Sequence, residues 1–261
     1  GIDDPSRLSD TIAAHMGEAG DTFALHYAAD GGLGIDADGI TGADGSIALT
    51  FDSAGLPAEV TDKFPHLAGL AALKMDPADL TLVPMILKSQ SALSIATGDG
   101  SPRDATSLQI PGVLDDLYAY DGALGPVFDG DDLTVTVWAP TARNVTLHLY
   151  ADPDPASAPM TSVPMVEDPA TGVWSCAGDA GWNGMYYLYE VEVYAPSTGQ
   201  VENNLVTDPY SLSLSMNSQR SQMVNLDDAG ARDIFACATH PVFSGGAPDR
   251  LDGSVLSKIV V

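Results

Sequence analysis

The stretch LTVTVWAPTARNVTLHLY, residues 133–150, contains the clearest structural pattern in the chain. Apolar and polar residues alternate over 133–138, Pro140 ends that run, and the alternation returns over 145–150. Strict alternation places every second side chain on the same face of a strand, so it predicts sheet strands with one buried face. This stretch therefore predicts β-structure around a packed core.

Similar patterns lie on both sides of this stretch. The chain has 26 Gly and 18 Pro, which separate short runs of strand-forming residues by turns. We predict strands over 22–27, 46–51, 80–87, 91–96, 172–176, 185–194 and 200–201, a helical turn over 56–65 and a hairpin loop over 97–107. Strands spaced by turns in this way are typical of β-sandwiches. The sequence therefore predicts an all-β protein.

The charge balance limits the classes of partner. The chain has 36 acidic and 10 basic residues, a formal net charge of −26. Phosphate binding needs clustered Lys and Arg, so we expect neither nucleic acid nor an anionic membrane as partner. No apolar run reaches the roughly 18 residues that a membrane span needs. The excess of acidic residues is typical of proteins that stay soluble at high salt and of acidic secreted proteins. An extracellular or periplasmic location is favoured.

The sequence has few of the residues that a metal site or a disulfide framework would need. Cys176 and Cys237 are the only cysteines, so a structural zinc site is not expected, and their spacing does not decide whether they pair. The acidic loop DADGITGAD, residues 36–44, resembles a calcium loop, but Ile40 replaces a ligand and no Glu closes it. We therefore expect an acidic turn and no cofactor, with calcium as the alternative.

Several longer motifs carry a resemblance to a known family. They are KFPHL (63–67), LQIPGVLDDLYAYDGALG (108–125), VWAPTARNVTLHLY (137–150), GVWS (172–175), YYLYEVEVY (186–194) and VTDPYSLSLSMNSQRSQMV (206–224). In this order they closely resemble the front of the pullulanase and limit-dextrinase family, family-13 glycoside hydrolases that cut α-1,6 branch points of starch-like glucans. The resemblance extends from about residue 21 to residue 228.

The resemblance implies a domain organisation. A leader (1–20) precedes a pullulanase-type β-sandwich (21–124), an immunoglobulin-like sandwich of carbohydrate-binding module family 48 (125–228) and a short irregular tail (229–261). We expect residues 108–125 to be a packed linker that bends at Pro111–Gly112 and buries its apolar side chains, Leu117 and Tyr118 among them, between the two sandwiches. A role for Tyr118 and Tyr120 in a binding loop is the alternative.

The same resemblance predicts no catalytic residues. In this family a (β/α)8 barrel holds two carboxylates about 5–5.5 Å apart. Residues 229–261 are too few to build a barrel, although they resemble a stretch from inside one, with His240 at the position of a barrel histidine. We therefore expect the catalytic barrel to be missing from this chain.

Candidates for sugar binding follow from exposed aromatic and amide side chains. Trp182 lies at a turn, whereas Trp138 and Trp174 are expected in the core. Starch-binding relatives of this module carry a Trp in a loop whose counterpart here, residues 197–204, has none; only Asn203 and Asn204 remain there. The weak carbohydrate-binding candidates are therefore Trp182, Tyr120, Asn203 and Asn204.

These inferences predict a non-catalytic accessory part of a debranching enzyme. It would pack against the catalytic barrel and bind α-glucan (pullulan, starch or glycogen) weakly. The alternatives are a stand-alone starch- or glycogen-binding module and a fragment of a complete, active pullulanase.

Overall fold

The structure, a computed structural model, describes residues 20–226 and the backbone of two later strands, Ile234–Cys237 and Leu256–Val260. Antiparallel sheets are the main regular structure of the described residues, and the helices among them are few and short, which confirms the all-β class. One sheet is built from residues 22–107, and two further sheets are built from residues 125–222. The predicted leader (1–20) lies outside the described residues except for Gly20.

The first domain is organised around one five-stranded sheet with strand order β5-β4-β1-β6-β7. A separate hairpin is formed by β2 and β3. The strands are β1 Thr22–Ala28, β2 Gly34–Asp36, β3 Gly39–Thr41, β4 Gly45–Asp52, β5 Ala72–Met75, β6 Gln90–Ala96 and β7 Pro102–Ser107. The helices are α1 Ala58–Lys63, α2 Val83–Leu87 and the 3₁₀ helices Pro65–Leu67 and Pro77–Leu82.

Helical residues cover part of one face of this sheet. Leu25 of β1 pairs in register with Ile47 of β4, so both side chains lie on the same face. Both are buried and pack with Ile86 of α2. The layer that covers this part of the sheet is therefore a short helix.

Two local predictions for this domain are wrong. Residues 80–87, predicted as a strand, form the end of a 3₁₀ helix and α2. Asp76 accepts a hydrogen bond from the Ala78 N–H and caps the 3₁₀ helix. Pro84 lies in the first turn of α2, where the N–H that proline lacks would have no partner within the helix. The predicted loop over 97–107 contains β7, a polar strand that can stay soluble at the sheet edge.

The linker contains α3, Pro111–Leu117, followed by Tyr118. Tyr118 is only 5% exposed, and its carbonyl accepts a hydrogen bond of 2.8 Å from Trp138 Nε1 in the second domain. Leu108 and Leu117 are exposed. Tyr118 thus joins the linker to the second domain, and Asp116 joins it to the first through an ion pair of 2.8 Å with Lys63. The prediction that Leu108 and Leu117 are also buried is wrong.

The second domain contains two facing antiparallel sheets. One has the order β11-β10-β14-β17-β16, with β15 also paired to β14, and the other has the order β12-β13-β9-β8. The strands are β8 Gly125–Asp129, β9 Asp132–Trp138, β10 Ala142–Tyr150, β11 Thr161–Pro164, β12 Val166–Asp168, β13 Val173–Asp179, β14 Tyr186–Ala195, β15 Gln200–Val206, β16 Ser213–Leu214 and β17 Ser221–Gln222. The 3₁₀ helices are Ala180–Trp182 and Met216–Ser218.

The alternating residues of the decisive stretch supply the centre of this core. Val135 of β9 and Leu147 of β10 are fully buried, together with Tyr187 and Tyr189 of β14. β9 and β10 belong to different sheets, so the two runs face each other across the interior. Trp174 is buried in the same core, as predicted, and donates a hydrogen bond to the Ala139 carbonyl. The predicted sandwich is confirmed here.

The tail contains a pair of parallel strands, β18 Ile234–Cys237 and β19 Leu256–Val260. We predict an irregular tail, but these two segments of it form paired strands. Parallel neighbours need a crossover connection, which distinguishes this pair from the antiparallel sheets before it. The predicted position of His240 lies outside the described residues.

Candidate functional site

Trp182 lies in a tight turn beyond the end of β13. Asp179 caps the 3₁₀ helix Ala180–Trp182 by accepting a hydrogen bond from the Gly181 N–H. The indole ring lies against Gly178, where a Cβ atom would be 2.5 Å from Trp182 Cε3. The side chain is half-buried and packs against the sandwich core. Only part of the ring is therefore accessible to a sugar.

Asn203 and Asn204 lie in a strand and not in a loop. They belong to β15, which pairs with β14 so that Asn203 is opposite Glu192 and Asn204 is opposite Val191. Successive side chains of a strand point to opposite faces, so the two amides diverge. The strand predicted at 200–201 is confirmed and extends to Val206, so Asn203 and Asn204 do not lie in a loop. The free edge of β14 supplies hydrogen-bond partners for this extended chain.

Tyr120 lies at the end of the second domain that faces the first. Its half-buried side chain folds over Gly122, close to the linker residue Tyr118 that receives the Trp138 hydrogen bond. Trp182 lies at the opposite end of the same sheet.

The pairing of β9 with β13 sets the separation between these two candidates. Trp138 is opposite Val173, and Asp132 is opposite Asp179. Six residues of strand separate the two positions, which corresponds to about 20 Å. Trp182 and Tyr120 are therefore too far apart to contact the same sugar ring.

A buried acidic residue, Asp208, lies in the middle of a hydrogen-bond network. Its Oδ2 accepts hydrogen bonds from Tyr187 Oη at 2.7 Å and Tyr189 Oη at 3.2 Å, and its Oδ1 accepts one from the Tyr210 N–H. Burial raises the pKa of Asp208, and burial together with the Asp208 charge raises the pKa of both tyrosines. The network holds the turn after β15 on the sandwich, a structural task that sequence analysis did not identify.

Arg220 is the second buried charge that the sequence did not reveal. Nη1 and Nη2 donate hydrogen bonds to the carbonyls of Asp152 and Ser157 at 2.7 and 2.8 Å. The guanidinium carbon lies 3.6 Å from the centroid of the Tyr150 ring. An Asp152 carboxylate oxygen is 3.7 Å from Nη1, so the carbonyl contacts are the closer ones. Arg220 thus orders the loop between β10 and β11.

A cleft of about 400 Å³ lies where the two domains meet, and we refer to it as the junction cleft. It is lined by Ala29, Pro84, Met85, Lys88 and Ser89 of the first domain, Tyr118 of the linker, and Arg143, Glu167 and Pro169 of the second domain. Neither domain alone supplies all of its walls.

Exposed apolar side chains recur along residues 205–216, from the end of β15 to the 3₁₀ helix after β16, and we call this segment the apolar ridge. Its members are Leu205, Val206, Tyr210, Leu212, Leu214 and Met216. Met216 is 84% exposed, and the exposed fractions of the others lie between 37% for Tyr210 and 60% for Leu212.

The described residues offer little for a metal or a reactive thiol. Among them, no three His, Cys, Asp or Glu side chains lie together as a metal site requires. The acidic loop becomes the β2–β3 hairpin, in which Asp36 Oδ1 accepts a hydrogen bond from the Asp38 N–H. Burial raises the pKa of Cys176 to about 11, which keeps that thiol protonated and unreactive. No helix among the described residues has the length and apolarity needed to span a membrane.

The described residues thus form two consecutive β-domains, and both of them match known protein families. Two family models match consecutive parts of the chain: the pullulanase N2 domain over residues 8–116, and carbohydrate-binding module 48, the isoamylase N-terminal domain, over residues 123–211. The chain therefore contains a pullulanase N2 domain followed by a carbohydrate-binding module 48, and similar proteins that share this region include pullulanases.

Individual relatives agree with this assignment. The chain is 40% identical over 211 residues to the chloroplastic pullulanase 1 of Arabidopsis thaliana, a match that covers 80% of this chain and 21% of the relative. A crystal structure of Klebsiella pneumoniae pullulanase complexed with maltotriose superimposes with a TM-score of 0.72 at 31% identity, covering 85% of this chain and 22% of that chain. The chain thus spans about a fifth of the length of these relatives.

A shorter similarity connects the chain to a different protein. Over 36 residues it is 50% identical to a ribose-phosphate pyrophosphokinase of Staphylococcus saprophyticus, covering 14% of this chain and 11% of the relative. Outside the two family matches, only residues 212–261 could hold such a segment without interruption. The barrel origin of residues 229–261 remains a prediction, and this similarity offers a second origin for them.

Proposed function

We propose that the chain is the non-catalytic accessory region of an α-1,6-glucan debranching enzyme of pullulanase type, with a β-domain over 21–124 and a glucan-binding module over 125–228. The observation that carries the proposal is the order of the two family matches, N2 followed by module 48, in a chain whose relatives are pullulanases. The related Klebsiella enzyme binds maltotriose, which supports α-glucan as the ligand.

The apolar ridge supports an accessory role beside a catalytic barrel. Its members remain exposed in this chain, and exposed apolar groups are frequent at protein interaction sites. Covering such a stretch removes apolar area from water at about 25 cal/mol per Å². A barrel packed on the ridge would provide that cover, and this barrel is the proposed protein partner.

The proposal assigns no catalysis to these residues. Glycoside hydrolysis requires a carboxylic acid with a raised pKa and a second carboxylate beside a sugar site. Asp208 has a raised pKa, but its oxygens are occupied by two tyrosines and a backbone N–H. We therefore expect the purified chain to release no reducing sugar from pullulan.

Affinity electrophoresis of the purified chain tests the binding part. We expect retardation in native gels that contain pullulan or glycogen, and unchanged mobility in gels that contain carboxymethylcellulose, a β-linked control. Calorimetry with maltoheptaose then gives the Kd. Equal mobility in all gels, with no heat of binding, would overturn the glucan-binding part of the proposal. Turnover of pullulan above the blank would overturn its non-catalytic part.

A further inference from the structure

The junction cleft has a composition unlike the rest of this acidic surface. The chain has only 10 Lys and Arg, yet Lys88 and Arg143, from different domains, both line this cleft. Lys88 Nζ lies 2.6 Å from Glu167 Oε1, and Arg143 Nη1 lies 2.7 Å from Asp30 Oδ1. Each cation therefore has its own carboxylate, and the cleft carries no excess of positive charge.

Hydrogen-bonding groups in the cleft are held in place by these contacts. Arg143 Nε also donates to the Lys88 carbonyl, which fixes the guanidinium across the domain boundary. A guanidinium has five N–H donors in a planar fork, so donors remain beyond these contacts. The pKa of Tyr118 is raised by burial and by the charge of Glu167, so its phenol stays protonated and can donate.

Apolar groups form the other part of the lining. Met85 is 37% exposed at the cleft, and Pro84, Pro169 and Ala29 also line it. Ser89 Oγ donates to the Met85 carbonyl and lies 3.7 Å from the Met85 sulfur, so it orders this side chain. Neutral sugars combine an apolar ring face with hydroxyls that donate and accept, and this lining offers partners for both.

We propose that the junction cleft binds terminal glucosyl units of a neutral α-glucan chain, with a ring face on Met85 and the prolines and hydroxyls on Arg143 and Glu167. The inference rests on the proposed glucan binding and gives that function a site. The volume of about 400 Å³ falls in the range of roughly 300–1,000 Å³ that is usual for small-molecule sites. Such sites are frequent at domain interfaces.

A second cleft of similar size provides an internal comparison. It measures about 390 Å³ and lies within the first domain, between the β2–β3 hairpin and the five-stranded sheet. Asp36, Asp38 and Asp104 line it together with a single arginine, Arg103. Ile35, which is 48% exposed, is an exposed apolar lining residue of this cleft, as Met85 is of the junction cleft.

Matched cleft-filling variants test the inference. We expect the Met85→Trp variant of the full chain to bind maltotriose and maltoheptaose about tenfold more weakly than the wild type in calorimetry, a loss of about 1.4 kcal/mol. The control Ile35→Trp fills the other cleft and should bind within about twofold of the wild type. Thermal melting and near-UV circular dichroism confirm that both fold. Should Met85→Trp fail to fold, Met85→Glu obstructs the same cleft with less bulk.

The outcomes separate this site from the function on which it rests. Unchanged binding by Met85→Trp in a chain that binds maltoheptaose would refute the site but leave glucan binding intact. Weaker binding by Ile35→Trp alone would transfer the site to the second cleft. No binding by the wild type would refute the proposed function itself. Tighter binding of inorganic phosphate than of maltoheptaose would identify Lys88 and Arg143 as an anion site and refute the inference.

Discussion

Lys88 Nζ lies 2.6 Å from Glu167 Oε1, and this ion pair joins the first domain to the second. The ammonium also lies 5.6 Å from the centroid of the Trp174 ring, a residue of the sandwich core. Both charged side chains are largely shielded from solvent. The pair therefore links the helical layer of one domain to the core of the other.

Breaking this pair should destabilise the chain. We expect Lys88→Met and Glu167→Gln each to lower the free energy of urea unfolding by about 1–2 kcal/mol, between the values for exposed and fully buried pairs. Lys74→Met is the control, because the Lys74–Asp52 pair is longer, at 3.5 Å, and Lys74 is exposed. Equal effects at both pairs would contradict a special role for the junction.

Removing the Arg220 side chain should lower the free energy of unfolding more than breaking the Lys88–Glu167 pair does. Arg220→Ala deletes two hydrogen bonds to carbonyls and the contact with Tyr150, and we expect a loss of about 2–4 kcal/mol. Arg220→Lys keeps the charge but not the planar fork, so its loss should be intermediate. Urea unfolding of the wild type and the two variants gives their free energies of unfolding. A lysine variant as stable as the wild type would show that charge alone suffices.

The contribution of Asp208 to the stability of the folded chain should depend on pH. Its folded pKa is raised above the ordinary value of 3.8, so the folded state binds more protons than the unfolded state between 3.8 and the raised value. Its contribution is therefore complete below pH 3.8 and is lost as the pH rises through the folded pKa.

The Asp208→Asn variant isolates this effect. The amide does not titrate, so the stability of the wild type relative to this variant should decrease as the pH increases from about 4 to 7. Urea unfolding of both proteins across this range gives the difference, in which the titration of the other carboxylates cancels. A difference that grows with pH would show that the pKa of Asp208 is lowered.

The position of Trp182 can be tested through its neighbour. Gly178→Ala would place a Cβ 2.5 Å from Trp182 Cε3, so we expect a loss of about 1–3 kcal/mol and a shift in tryptophan emission. Gly112→Ala is the matched control, because its Cβ would lie at an ordinary contact distance of 3.5 Å from Phe64 Cζ. Alanine favours the helix over glycine, so this substitution should raise the free energy of unfolding by about 0.5–1 kcal/mol. Equal stability of both variants would place the Trp182 ring elsewhere.

The apolar ridge should promote self-association of the chain. Light scattering of the wild type should show a mass that increases with concentration, whereas Leu212→Asp combined with Leu214→Asp should stay monomeric. Both leucines are exposed, so we expect this double variant to fold with a stability change within about 0.5 kcal/mol for each substitution. Val166→Asp, an exposed apolar position outside the ridge, should associate like the wild type. A wild type that stays monomeric at high concentration would refute the prediction.

Local sequence was sufficient where one face of a strand is buried. The alternation over 133–138 and 145–150 identified β9 and β10 and the side chains that fill the sandwich core, because burial imposes a period of two on the sequence. It was insufficient at 80–87, where an apolar run fits a strand and a helix equally well and only the capping residues and Pro84 favour the helix.

The sequence by itself determined the all-β class, the sandwich core and the resemblance to pullulanases, since these depend on short-range patterns and long motifs. Tertiary structure alone decided that Asn203 and Asn204 diverge, that Trp182 and Tyr120 lie at opposite ends, and that Lys88 meets Glu167. Strand pairing and domain contact join residues far apart in the chain, and no local pattern encodes which distant partner a free edge or a charged side chain will find.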